Sequence, residues 1–121
     1  MKIIEIKNEE DIKNLTRDDE NPDKLLVIDC GATWCGPCKV FGRFYEKFAE
    51  TLSENIPNIE NYITFSKLDA DELKDFCQIN KVENLPTILF IKNEDIVDRI
   101  IGNDQAKFAE LIKNNLEEQL E

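Results

Sequence analysis

A chain of 121 residues carrying a formal net charge of −11 has the size of one domain built on one core, and residues 1–121 are read here as such. Apolar residues make up 41% and charged residues 34%, with only four Gly and four Pro, which excludes collagen-like, low-complexity and strongly disordered classes. With 26 acidic against 15 basic residues, long-range electrostatics oppose phosphate backbones and anionic lipid, so neither nucleic acid nor membrane is expected as a partner.

Met1 to Lys7 gives way to Glu9-Glu10-Asp11 too early to leave the apolar stretch of a secretory signal, and no apolar run approaches a spanning helix. A cytoplasmic location with reduced cysteines is the expectation. Ile4 and Ile6 alternate with charges and predict a short first strand, followed by a small helix over Asn8 to Leu15 capped by Asn8. Lys24 to Cys30 is a short, nearly continuous apolar run, as in a strand covered on both faces. Phe41, Phe44, Tyr45, Phe48 and Leu52 recur at helical spacing and predict a helix from about Cys35 to Glu54, broken by Ser53 to Asn61. Tyr62 to Leu68 reads as a strand, and Asp71 to Ile79 as a short helix whose leading acids suit its N-terminal dipole. Pro86 to Ile91 and Ile96 to Ile101 form an expected hairpin across Lys92-Asn93-Glu94-Asp95. Phe108, Leu111, Ile112, Leu116 and Leu120 close the chain with an amphipathic helix capped by Asn103 or Asp104. The order βαβαβαββα is an α/β fold with a mixed, mostly parallel sheet and helices on both faces.

No histidine is present, so cysteine, carboxylate or lysine must carry any chemistry. Trp34-Cys35-Gly36-Pro37-Cys38-Lys39 lies where a central strand hands over to a helix, at the strand end where α/β sheets gather ligands. A cysteine at a helix N-terminus faces unpaired N–H groups and the positive end of the dipole, which favours thiolate, so Cys35 is the expected nucleophile. Cys38 follows one turn later on the same face, within reach of a mixed disulfide formed on Cys35, as a resolving thiol. Cys35 is also expected to be the one cysteine that combines exposure with a helix N-terminus. Half of a structural zinc site is the plainer reading of a CxxC, but it lacks histidines and a second CxxC, and no metal is expected.

Ala32-Thr33-Trp34-Cys35-Gly36-Pro37-Cys38-Lys39, with Asp29 six residues before Cys35, resembles the active-site segment of thioredoxins. Leu85-Pro86-Thr87 before a late strand matches the family's cis-proline loop, Gly102 its late glycine, and Lys67 a strand lysine near its buried aspartate. The resemblance implies the thioredoxin fold and protein-disulfide reduction without a cofactor. Cys35 would attack, and Cys38 would then close a redox-active Cys35–Cys38 disulfide. Asp29 would take the proton of Cys38, Lys67 would tune Asp29, and Trp34, Gly36, Pro37, Leu85, Pro86 and Gly102 would form the surface for substrate. Partners would be disulfide-containing proteins and a thioredoxin reductase. A thioredoxin-like subunit that mainly binds a large assembly, as dynein-associated members do, is the alternative that WCGPC leaves open.

The sequence departs from the family pattern in four places. Arg43 stands where many members kink the long helix with proline, and the stretch to Lys67 carries extra residues around Ser53 to Asn61. Asn93-Glu94 replaces a common hairpin glycine, with Asn93 expected to take the left-handed conformation. Gly31 stands where bacterial members often have an aromatic, which should open access to Asp29. Cys30 and Cys77 read as buried packing thiols.

Overall fold

The computed structural model describes residues 1–121. Strand β1 (Ile4–Ile6) leads into helix α1 (Glu9–Thr16), whose Asn8 cap accepts the Asp11 N–H at 2.9 Å. Strand β2 (Leu25–Gly31) then feeds the 20-residue helix α2 (Gly36–Asn55), which continues through Gly42 and Arg43. After a 3-10 turn (Ile59–Asn61) come β3 (Ile63–Asp69), α3 (Lys74–Ile79), the hairpin β4 (Thr87–Lys92) and β5 (Asp95–Ile101), and α4 (Gln105–Leu120).

The five strands lie in the order β1-β3-β2-β4-β5. β1, β3 and β2 run parallel, while β4 and β5 are antiparallel to their neighbours, the mixed sheet expected of this element order. Alternation along β2 divides the interior. Leu25 and Val27 join Phe41, Tyr45 and Ala49 of α2 and Phe108, Ile112 and Leu116 of α4 on one face. Leu26, Ile28 and Cys30 join Ile12 of α1 and Phe76 and Cys77 of α3 on the other. Asp29 continues the Leu25–Val27 row, so a carboxylate occupies a position that the period of two assigns to the α2 side.

The α2 stripe packs as its spacing predicts. Phe108 is the hub, with ring centroids 5.5 Å from Phe41, 5.7 Å from Tyr45 and 5.1 Å from Phe48, all near edge-to-face. The extra residues after α2 are anchored by Ile59, which is buried in the same cluster.

Two local expectations change, and one choice between caps is settled. The acids at Asp71 and Glu72 precede α3, because the Asp69 carboxylate accepts the Asp71 N–H at 2.8 Å and the Asp69 carbonyl accepts those of Glu72 and Leu73. That turn delays the helix to Lys74. Of the two proposed caps for the last helix, Asp104 serves, accepting the Lys107 N–H at 3.0 Å. The hairpin loop is only Asn93-Glu94, and both residues are left-handed, with φ of 50° and 70°. Such a pair matches the twist of the flanking strands, at a cost of roughly 1–2 kcal/mol for a non-glycine residue. Glu94→Gly removes that cost but loses about 0.5–1 kcal/mol to backbone entropy. A net gain of about 0.5 kcal/mol in stability by denaturant titration is therefore expected.

Candidate active site

Cys35 ends the loop after β2 and caps α2, its sulfur accepting the Cys38 N–H at 3.2 Å. Pro37 occupies the first turn of α2, where its missing N–H leaves no helix bond unmade. Cys35 and Cys38 are joined as a disulfide within that turn, their Cα atoms 5.3 Å apart. A sulfur held by a backbone N–H at the positive end of a long helix is an environment that stabilises thiolate once the bond is reduced.

Exposure does not separate the two cysteines as expected: in the disulfide form Cys35 is 5% and Cys38 9% exposed. Their surroundings do. The Cys35 sulfur lies 3.8 Å from the Leu85 carbonyl oxygen, and Leu85 precedes Pro86 through a cis peptide bond. The Gly102 N–H donates to the Pro86 carbonyl at 2.8 Å, and Gly102 has a φ of 89° that disfavours any side chain there. Gly36 and Pro37 are exposed, and the Trp34 side chain, 69% exposed, donates its indole N–H to Asp71 at 2.9 Å.

Cys38 points the other way. A cleft of about 320 Å³ opens beside it, and its lining includes Asp29, Gly31, Tyr45 and Lys67. A Cβ built on Gly31 would stand 3.3 Å from the Cys38 Cβ and 3.4 Å from its sulfur, so the glycine leaves that approach clear. Asp29 is buried, and its Oδ1 has no hydrogen-bond partner. Desolvation pushes its pKa up to about 7, against the opposing pull of the Lys67 ammonium. Lys67 stands directly across from Asp29 in the β2–β3 register, exposed on an inner strand. The turn N–H groups that would satisfy a strand-end carboxylate are absent around Asp29. Cys30 and Cys77 are free and buried on the opposite face of the sheet, and burial pushes both thiols up.

The sequence reading missed two partners. Asp71, which the sequence places at a helix dipole, instead holds Trp34, a contact that no local spacing announces. Tyr45 belongs to the apolar stripe by spacing, yet its hydroxyl lies against the backbone of Ser66 and Val27.

The thioredoxin family model matches residues 5–114. The chain is 40% identical over 94 residues to Thioredoxin-2 of Saccharomyces cerevisiae, covering 78% of this chain and 83% of that one. The chain belongs to the thioredoxin family. Among solved structures it is similar to the Malassezia sympodialis thioredoxin, at a TM-score of 0.79 and 32% identity over 94% of this chain and 90% of that one. It is also similar to the oxidised form of mitochondrial thioredoxin 3 from Saccharomyces cerevisiae, at a TM-score of 0.75 and 28% identity over 93% and 94%. A thioredoxin with its CxxC pair at disulfide distance is an oxidoreductase of dithiol–disulfide exchange. Thioredoxins reduce disulfide substrates and are recycled by a thioredoxin reductase. The relatives matched here are thioredoxins themselves, which does not favour a mainly assembly-binding subunit. No helix is long and apolar enough to cross a membrane.

Proposed function

We propose that residues 1–121 work as one domain that reduces protein disulfides, with Cys35 as the attacking and Cys38 as the resolving thiol. The observation that carries this reading is the Cys35 sulfur at the cap of α2, 3.2 Å from the Cys38 amide. In the reduced protein the Cys35 thiolate attacks one sulfur of a substrate disulfide. An S–S bond forms between Cys35 and that sulfur, and the other substrate sulfur leaves as a thiolate and takes a proton. Asp29 then accepts the Cys38 proton, and the Cys38 thiolate attacks the Cys35 sulfur. The mixed disulfide breaks, the second substrate thiol is freed, and the Cys35–Cys38 bond closes.

Lys67 tunes Asp29 by opposing the effect of burial, and water in the cleft beside Gly31 carries the proton on to solvent. Trp34, Gly36, Pro37, Leu85 and Gly102 form the docking surface, and the buried Pro86 holds the Leu85 backbone where it can pair with an extended substrate segment. The two electrons return from a thioredoxin reductase, and the protein works in the cytoplasm, where Cys30 and Cys77 stay reduced. No cofactor or metal takes part in this scheme.

Mass-mapped alkylation of the reduced protein with limiting iodoacetamide at pH 7 tests the assignment. Cys35 should be modified well before Cys38, Cys30 or Cys77. Earlier modification of Cys38 or Cys77 would reverse the roles.

A further inference from the structure

Tyr45 is the one buried hydroxyl on α2, and it contacts three backbone groups rather than side chains. It donates to the Ser66 carbonyl at 2.8 Å, accepts the Ser66 N–H at 3.0 Å, and lies 3.3 Å from the Val27 carbonyl. Those strand residues flank the proton-transfer site. Val27 precedes Asp29 by two on the same face of β2, Ser66 directly precedes Lys67 on β3, and Asp29 and Lys67 are paired in register. Tyr45 itself follows Cys38 by seven residues, two turns along the same face of α2. A rigid helix therefore connects the phenol to the resolving thiol, and one hydroxyl fastens that helix to both strands that carry the charged groups. Cys38, Asp29, Tyr45 and Lys67 line one cleft, so a slip of α2 along the sheet would change the Cys38–Asp29 distance directly.

We infer that Tyr45 is a positioning residue for the resolving step, its hydroxyl setting the distance between the Cys38 thiol and the Asp29 carboxylate. The inference rests on the proposed role of Asp29. The phenol takes no proton in the reaction: burial and the nearby Asp29 hold its pKa far above the working range. The other charged groups lining the cleft are Glu5 on β1, Lys39 and Glu46 on α2, Lys67 and Asp69 on β3, and Glu72 ahead of α3. Tyr45→Phe leaves all of them in place, and it keeps the ring against Phe41, Phe65 and Phe108.

The step can be isolated by loading Cys35 with 5-thio-2-nitrobenzoate and following release of the coloured thiolate as Cys38 attacks, across pH 5–9. Tyr45→Phe should release it roughly five- to tenfold more slowly at pH 7, short of the ~10²-fold loss that removing the proton acceptor itself brings, with the midpoint of the pH profile moved upward. Alkylation of Cys35 should proceed at the parent rate. Ser66→Ala is the control for loosened packing, since the Ser66 hydroxyl bonds to the Val27 carbonyl at 2.6 Å without reaching α2. It should lower the denaturant midpoint and leave the pH profile in place. An unchanged profile in Tyr45→Phe, equal slowing of both steps, or the same profile shift in Ser66→Ala would overturn the inference. Asp29→Asn distinguishes the two levels. If it slows release while Tyr45→Phe does not, only the positioning role falls; if it leaves release unchanged, the Asp29 reading falls and the inference with it.

Discussion

Cys35→Ser is expected to reduce insulin-disulfide reduction to background, a loss of about 10³-fold or more, because a serine hydroxyl stays protonated where the thiol would ionise. Cys38→Ser should also fail to turn over, but for a different reason that can be seen directly. It keeps the capped nucleophile and lacks the thiol that breaks the intermediate, so it should accumulate stable mixed disulfides with substrate proteins. Non-reducing gels of the two variants incubated with oxidised substrate read the difference. Trapping by Cys38→Ser and none by Cys35→Ser is the expected pattern. Equal trapping by both would contradict the order of attack, since each cysteine sits in a different environment: Cys35 beside the Leu85 carbonyl, Cys38 beside the cleft.

Asp29→Asn should act on rate and on stability in opposite directions. Loss of a positioned proton acceptor typically costs about 10²–10⁴ in the step concerned, and the open cleft beside Gly31 lets water substitute in part, so about 10² is expected for release from the mixed disulfide. Stability follows from the carboxyl pKa of about 7 in the fold against about 3.9 in an unfolded chain. Between those values the folded protein keeps a proton that the unfolded chain has lost. The contribution of Asp29 to folding stability therefore falls as pH rises from 4 to 7 and levels off above, the total loss being about 4 kcal/mol over roughly three pH units. The asparagine variant has no charge to desolvate. It should match the parent near pH 4 and exceed it by up to about 4 kcal/mol at pH 8, as measured by denaturant midpoints at both pH values. A variant that is less stable at pH 8 and resolves at the parent rate would remove Asp29 from the mechanism.

The residues that announced the site in the sequence did so because they break local patterns. Asp29 is an acid inside an apolar strand, and two cysteines one turn apart open a helix. The strands and the four helices were legible for the complementary reason, that burial imposes a period on the sequence. What was not legible depends on groups that periodicity does not address. The Asp69 turn delayed α3 by three residues because a side chain and a carbonyl competed for the amides that would have begun the helix. The second left-handed residue of the hairpin, Glu94, follows from strand twist rather than from its own preference. Tyr45 fits the aromatic stripe so well that its hydroxyl carries no signal at all in the sequence. The exposure expected of Cys35 is lost beside Leu85, which lies fifty residues away in the sequence and brings its carbonyl to 3.8 Å from the sulfur.

Asp29 and Cys30 are neighbours in β2 and point to opposite sides of the sheet. The sheet thus acts as insulation between two populations of sulfur: a pair that exchanges electrons, and a pair enclosed with α1 and α3. The first pair opens on the Leu85 carbonyl and the cleft beside Gly31, and its one disulfide carries two electrons. The remaining two sulfurs lie on the far side of that wall, packed with Ile12 of α1 and Phe76 of α3.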